Sequence, residues 1–198
     1  MSYIPERSFP AWERIVMRVI AGTARSLPLK APEGLATRPT TDRIKETLFN
    51  MLQTRIGGSV FVDLFAGSGG IGIEALSRGA LKCYFVENDA KAMKCVQDNA
   101  AFTRMTDKSI FLKADVFGAL HQISEKEADI IFMDPPYGMD YERRVLEVLA
   151  GMNYVTENTL IIAEAALDTD FSYAEECGFV IIKQKCYKTN QHVFFMKK

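Results

Sequence analysis

Apolar runs that suit buried strands recur along the chain at Val60 to Phe65, Cys83 to Val86, Ser109 to Leu112, Ile130 to Met133 and Thr159 to Ala163. Between them, helix-spaced stretches fall at Gly70 to Ser77, Ala90 to Thr103, Val116 to Ile123 and Tyr141 to Ala150. Repeated strand–helix alternation predicts an α/β fold, a doubly wound and mostly parallel sheet with helices on both faces. The end of the chain breaks the pattern. Phe179 to Ile182 and Val193 to Met196 are strand-like runs joined by a polar segment with no helix between them, which predicts an antiparallel hairpin at the sheet edge.

Ahead of the alternation, Met17 to Ile20 and Ser26 to Lys30 flank the turn-like Gly22 to Arg25 and predict a small hairpin, with Pro28 confined to an edge position. Arg38-Pro39-Thr40-Thr41-Asp42 supplies a loop and a helix start, after which Ile44, Leu48, Met51 and Leu52 repeat at helical spacing. The expected organisation is therefore an extension over 1–16, a hairpin and helix over 17–56, and one α/β domain over 57–198.

Two motifs carry the chemistry. Asp63-Leu64-Phe65-Ala66-Gly67-Ser68-Gly69-Gly70-Ile71-Gly72 runs from a strand into a glycine loop and a helix, the form of a nucleotide-type cofactor cradle. Its G-x-G-x-x-G spacing also fits a dinucleotide. Asp63 ahead of the loop is suited to the cationic amino-acid end of S-adenosylmethionine, and Glu87, followed by Asn88 at the end of the second strand, to its ribose hydroxyls. Asp115 ends the third strand, where it either meets the adenine amino group or caps the next helix; Asp89 is a second potential cap.

The other motif, Asp134-Pro135-Pro136-Tyr137, closes the strand Ile130 to Met133 at the end where open α/β sheets bind ligands. An exocyclic amine on a nucleobase is a weak nucleophile because its lone pair is delocalised into the ring. The Asp134 carboxylate and the Pro135 carbonyl can each accept one of its N–H groups, while Pro136 holds that carbonyl in one direction. Tyr137 offers a face on which a splayed-out base can stack. Asp134, Pro135 and Tyr137 are therefore the catalytic candidates, for methyl transfer to a planar amino group.

The formal charge of −1 conceals an asymmetry: residues 1–56 carry nine Lys and Arg against five Asp and Glu, net +4, and the rest of the chain is net −5. Arg25, Arg38, Arg43 and Lys45 in that basic end are candidate contacts for an anionic partner. Neither His121 nor His192 has partners at metal-ligand spacing, so both read as bystanders and no metal is expected. The four cysteines lack C-x-x-C spacing and suit free thiols in a reducing compartment. With no run of 18 apolar residues, a cytoplasmic protein without a membrane span is expected.

These residues resemble the RsmD-type RNA guanine-N2 methyltransferases over about residues 17 to 197. The likeness runs through Met17 to Gly22, Arg38 to Asn50, Asp63 to Gly69, Glu74 to Gly79 and Asp134 to Tyr137, with Arg38 to Asn50 its most specific block. The resemblance implies a class I methyltransferase sheet. S-adenosylmethionine would be held by Asp63, Phe65, Gly67, Gly69, Glu87, Asn88 and Asp115, with the target guanine at Asp134 to Tyr137. It implies N2-methylation of one guanine in small-subunit (16S) ribosomal RNA by a monomer acting on the RNA or the small ribosomal subunit, the basic N-terminal segment helping to hold it. The competing readings are an adenine-N6 methyltransferase, an NAD-dependent dehydrogenase, and a non-catalytic RNA-binding accessory protein.

Overall fold

A computed structural model describes residues 17–32 and 42–198. Seven strands form one sheet: β1 Val60–Leu64, β2 Lys82–Val86, β3 Ser109–Leu112, β4 Ile130–Met133, β5 Leu160–Ala166, β6 Phe179–Cys186 and β7 Asn190–Lys197. The order is β3-β2-β1-β4-β5-β7-β6. β1 pairs in parallel with β2 and β4, and the parallel set continues to β3 and β5. β7 pairs antiparallel with both β5 and β6. The chain thus winds outward from β1 in both directions, so a crevice opens where the carboxyl ends of β1 and β4 diverge.

Alternation along β1 sends its side chains to two cores. Val62 and Leu64 join Ile131, Met133, Leu146, Leu149 and Phe195 on one face. Phe61 faces the other way, with Phe85, Ile130, Phe132 and Ile162. The helices α2 Gly70–Ser77, α3 Ala90–Phe102, α4 Val116–Leu120 and α5 Tyr141–Ala150 cover the two faces.

The N-terminal helix, α1 Asp42–Met51, buries Lys45, Leu48 and Phe49. Leu48, Phe49 and Leu52 pack into the same core as Phe61, and each apolar side chain buried there contributes about 2 kcal/mol by transfer. Segment 17–32 is pinned to the sheet's helices by polar contacts. Glu74 of α2 accepts the N–H groups of Ile20 (2.7 Å) and Ala21 (3.0 Å), and Ser77 Oγ accepts that of Ala24 (3.0 Å). Asn99 of α3 accepts the Lys30 N–H at 2.9 Å and donates to the Lys30 carbonyl at 3.0 Å.

Three local expectations need correcting. The N-terminal hairpin is shorter than its two strand-like runs: one bridge, Arg18 to Pro28, is flanked by hydrogen bonds from the Val19 N–H to the Leu27 carbonyl (3.0 Å) and from the Leu29 N–H to the Met17 carbonyl (2.6 Å), so Pro28 sits where the pairing needs no N–H. The third helix of the alternation, α4, stops at Leu120 rather than Ile123. The segment expected to be a polar loop between the last two strands is mostly strand: β6 runs on to Cys186 and β7 starts at Asn190.

Candidate active site

β1 delivers the chain into the glycine loop through Phe65, itself at φ +62°, and Gly67 (φ +58°) and Gly69 (φ +78°) turn it left-handed before α2 begins at Gly70. A side chain at Gly69 would suffer twice, since its Cβ would also lie 3.0 Å from Val96 Cγ1. Gly72 serves packing instead: a Cβ there would stand 2.3 Å from Phe85 Cε1 and 2.6 Å from Cys83 Sγ. The loop is braced by β2 and the residues after it, with the Ala66 N–H donating to the Val86 carbonyl (2.9 Å) and the Gly67 N–H to Glu87 Oε2 (2.9 Å).

Two cavities meet at Phe65. The first, of about 140 Å³, is lined among others by Met17, Lys45, Asp63, Gly67, Ser68 and Asp134. The second, of about 330 Å³, is lined among others by Glu87, Asn88, Asp115, Phe117, Tyr141 and Arg144. Asp63 is buried and accepts the Gly72 N–H at 2.8 Å; desolvation outweighs that bond, and with some push from Glu87 lifts its pKa to about 8. Burial also holds Asp134 well above the carboxylate range, with Glu164, Asp63 and Glu142 adding to it in that order.

The second cavity keeps both readings of its carboxylates. Asp115 caps α4 by accepting the Gly118 N–H at 3.0 Å and still lines the cavity. Asp89 caps α3, accepting from the N–H groups of Lys91 (2.9 Å) and Ala92 (2.8 Å). Glu87 is drawn toward the loop by the N–H groups of Gly67 and Asp89, so its carboxylate is oriented at the cavity wall. The opposite wall is aromatic and cationic. Phe117 stacks on Tyr141 at 6.1 Å, and the Arg144 guanidinium lies 4.5 Å from the Phe117 centroid.

At the end of β4, Pro135 is buried while Pro136 and Tyr137 are exposed, Tyr137 by 52%. Behind them lies a network that sequence reasoning missed. His192, read as a bystander, is fully buried with Nε2 3.0 Å from Glu164 Oε2 and Nδ1 3.1 Å from the Tyr187 hydroxyl. Asn190 Nδ2 donates to Glu164 Oε1 at 2.5 Å. Burial, then Glu164, pushes the Tyr187 hydroxyl up to about 12, so it keeps its proton. The same Glu164 is the leading electrostatic influence on Asp134.

The structure therefore gathers Asp63, Phe65, Gly67 and Asp134 on one cavity and Phe65, Glu87, Asn88 and Asp115 on the next, with Gly69 beneath the loop. The basic candidates do not stay together. Arg25 and Arg43 are exposed, and Arg38 lies outside the described residues. Lys45 corrects the expectation of an anionic surface contact: it is 2% exposed and turned into the first cavity. Its spacing from Leu48, Phe49 and Leu52 places it on the buried stripe of α1, a signal that is present in the sequence.

Comparison with known proteins bears on this geometry. A family model described as "Conserved hypothetical protein 95" matches residues 17–196. "Putative rRNA methyltransferase YlbH" of Bacillus subtilis is 39% identical over 171 residues, covering 85% of this chain and 92% of that protein. "Ribosomal RNA small subunit methyltransferase D" of Haemophilus influenzae is 34% identical over 181 residues, covering 85% and 88%. The solved structure of "Putative methyltransferase yhhF" from Escherichia coli superposes with a TM-score of 0.78 at 26% identity, over 92% of this chain and 98% of that one. A glycine cradle, a strand-end Asp-Pro-Pro-Tyr and these matches along nearly the whole described chain lead to one conclusion: this protein belongs to the conserved hypothetical protein 95 family, the RsmD family of class I methyltransferases.

Proposed function

We propose that the protein transfers the methyl group of S-adenosylmethionine to the N2 amine of a guanine in small-subunit ribosomal RNA. One observation carries the reading: Asp63 and Asp134, from the carboxyl ends of neighbouring strands, line a single cavity beside the glycine loop. Family membership selects methyl transfer over hydride transfer. The residues fit the cofactor, for the first cavity has an acid suited to an ammonium group and the second has Glu87 and Asn88 for hydroxyls beside an aromatic wall. Bound there, S-adenosylmethionine supplies an electrophilic methyl.

The chain's own residues do the rest. Asp134 and the Pro135 carbonyl accept the two N–H groups of the guanine amine, which localises the lone pair on nitrogen. Pro136 keeps the Pro135 carbonyl extended, and Tyr137 stacks on the base. The proton released on methylation passes to Asp134, whose pKa is raised by burial. Arg25, Arg38 and Arg43 contact RNA phosphates. We infer that it acts as a monomer, and no helix among the described residues is long and apolar enough to cross a membrane. We place the enzyme in the cytoplasm with its substrate. Mapping N2-methylguanine in ribosomal RNA from cells with and without the gene tests the assignment, and an unchanged map overturns it. In purified form, Asp134→Ala should slow single-turnover methylation by about 3 kcal/mol of barrier, with cofactor binding retained.

A further inference from the structure

An ammonium buried on the apolar stripe of a helix needs a reason, because desolvating it costs several kcal/mol and an apolar side chain would pack there at less cost. Lys45 Nζ donates to the Arg18 carbonyl at 2.5 Å and stands 3.6 Å from Glu74 Oε2. Burial lowers its pKa, and the neighbouring Glu74 and Asp42 pull it part of the way back.

Glu74 does not require this partner. Its Oε1 already accepts from Arg78 Nε (2.7 Å) and the Ala21 N–H (3.0 Å), and its Oε2 from the Ile20 N–H (2.7 Å). The lysine contact is longer than any of these. An ammonium has three donors, and Lys45 lines the cavity that also holds Asp63 and Asp134. Among the described residues lining that cavity, it is the one cation.

The amino-acid end of S-adenosylmethionine is a zwitterion. Asp63 suits its ammonium, but neither Asp63 nor Asp134 offers its carboxylate a positive charge. We propose that Lys45 binds that carboxylate, its Nζ donating across the cavity from Asp63, so that the pair recognises both charges of the amino-acid group. This rests on the cofactor reading above and adds to it a determinant of which ligand the site prefers.

The test compares two ligands by titration calorimetry: S-adenosylhomocysteine, and 5′-methylthioadenosine, which keeps the adenosine and thioether but lacks the amino-acid group. The wild type should prefer the first. Lys45→Met should weaken S-adenosylhomocysteine about ten- to a hundredfold while leaving 5′-methylthioadenosine unchanged, and Lys45→Arg should restore most of the affinity. Decarboxylated S-adenosylhomocysteine, which keeps the ammonium, should bind the wild type as weakly as the intact ligand binds Lys45→Met, and removing both partners should cost no more than removing one. The decarboxylated ligand keeps the proposal testable even if the variant does not fold. If decarboxylation costs the wild type nothing, or Lys45→Met weakens both ligands equally, Lys45 is only a strut between Arg18 and Glu74 and the proposal is overturned. If the wild type binds neither ligand, the cofactor reading itself fails.

Discussion

The carboxylate of Asp63 accepts the backbone N–H of Gly72 at 2.8 Å, tying the end of β1 to the first turn of α2 across the glycine loop. One acidic side chain thus both closes the cradle and lines its cavity. These roles make opposite demands on its charge, since burial favours the protonated acid and a bound ammonium favours the carboxylate.

An unperturbed aspartate loses its proton near pH 3.9, whereas Asp63 holds its own up to about 8. Between those values the folded chain keeps a proton that the unfolded chain has released. The stabilisation is complete below about pH 4 and is lost as pH rises through about 8. The melting temperature of the unliganded protein should accordingly fall from pH 5 to pH 8.5, with a shallower slope in Asp63→Asn. Ligand binding beside Asp63 should release about one proton at pH 7, read from the dependence of calorimetric enthalpy on buffer ionisation. Equal slopes and no proton release would remove Asp63 from the ammonium site.

Gly72→Ala separates packing from binding. Its methyl group would meet Phe85 and Cys83 at well under contact distance, and overpacking of this kind costs about 1–3 kcal/mol. Urea denaturation should show that destabilisation. Gly67→Val should do the reverse, since the nearest atom to its Cβ is the Phe65 carbonyl at 4.0 Å while its φ of +58° suits no β-branched residue. Cofactor affinity should fall sharply there with a smaller stability change; retained affinity would place the cofactor elsewhere.

Glu164→Leu should destabilise the fold by about 2–5 kcal/mol, because it leaves the Nε2–H of His192 and the side-chain amide of Asn190 buried without acceptors. Glu164→Gln keeps the shape and one acceptor oxygen and should cost less. Removing this carboxylate also removes the first electrostatic contribution to the raised Asp134 pKa. The pH–rate profile of methylation in Glu164→Gln should therefore shift toward lower pH on its acid limb. An unmoved profile would limit Glu164 to holding the hairpin.

What the sequence discloses follows the physics of each element. β1, β2, β4 and β5 are legible because strands buried on both faces read as continuous apolar runs, and the half-buried edge strand β3 through its apolar Ile110-Phe111-Leu112. The full length of β6 is not, since Ile181 to Cys186 are exposed at the sheet edge and follow no apolar pattern. Asp63 and Asp134 are legible as strand-end acids next to glycine and proline. The pairing of Glu164 with His192 is not, because β7 must fold back beside β5 before residues 28 apart can meet. Lys45 misleads when its charge is weighed without its place on the helix, and Asp115 resists assignment to one role because it caps α4 while also lining the second cavity.

The basic N-terminal surface rests on few residues. Arg18 is engaged by Asp42 at 2.8 Å and Lys45 is buried, leaving Arg25 and Arg43 as exposed cations among the described residues proposed for RNA contact. Replacing both with Ala should weaken RNA binding about equally across sequences. It should also flatten the plot of log K against log salt by roughly one unit for each phosphate no longer neutralised. Cofactor affinity should stay where it is, whereas Lys45→Met should lower that affinity and leave the salt slope alone, so the two substitutions separate the RNA surface from the cofactor cavity. If the slope of the arginine double variant matches wild type, the RNA is gripped by a different surface. The next basic one is the far hairpin, where Lys183, Lys185 and Lys188 are exposed and the tip lies beside the carboxyl end of β5, on the same edge of the sheet as Asp134.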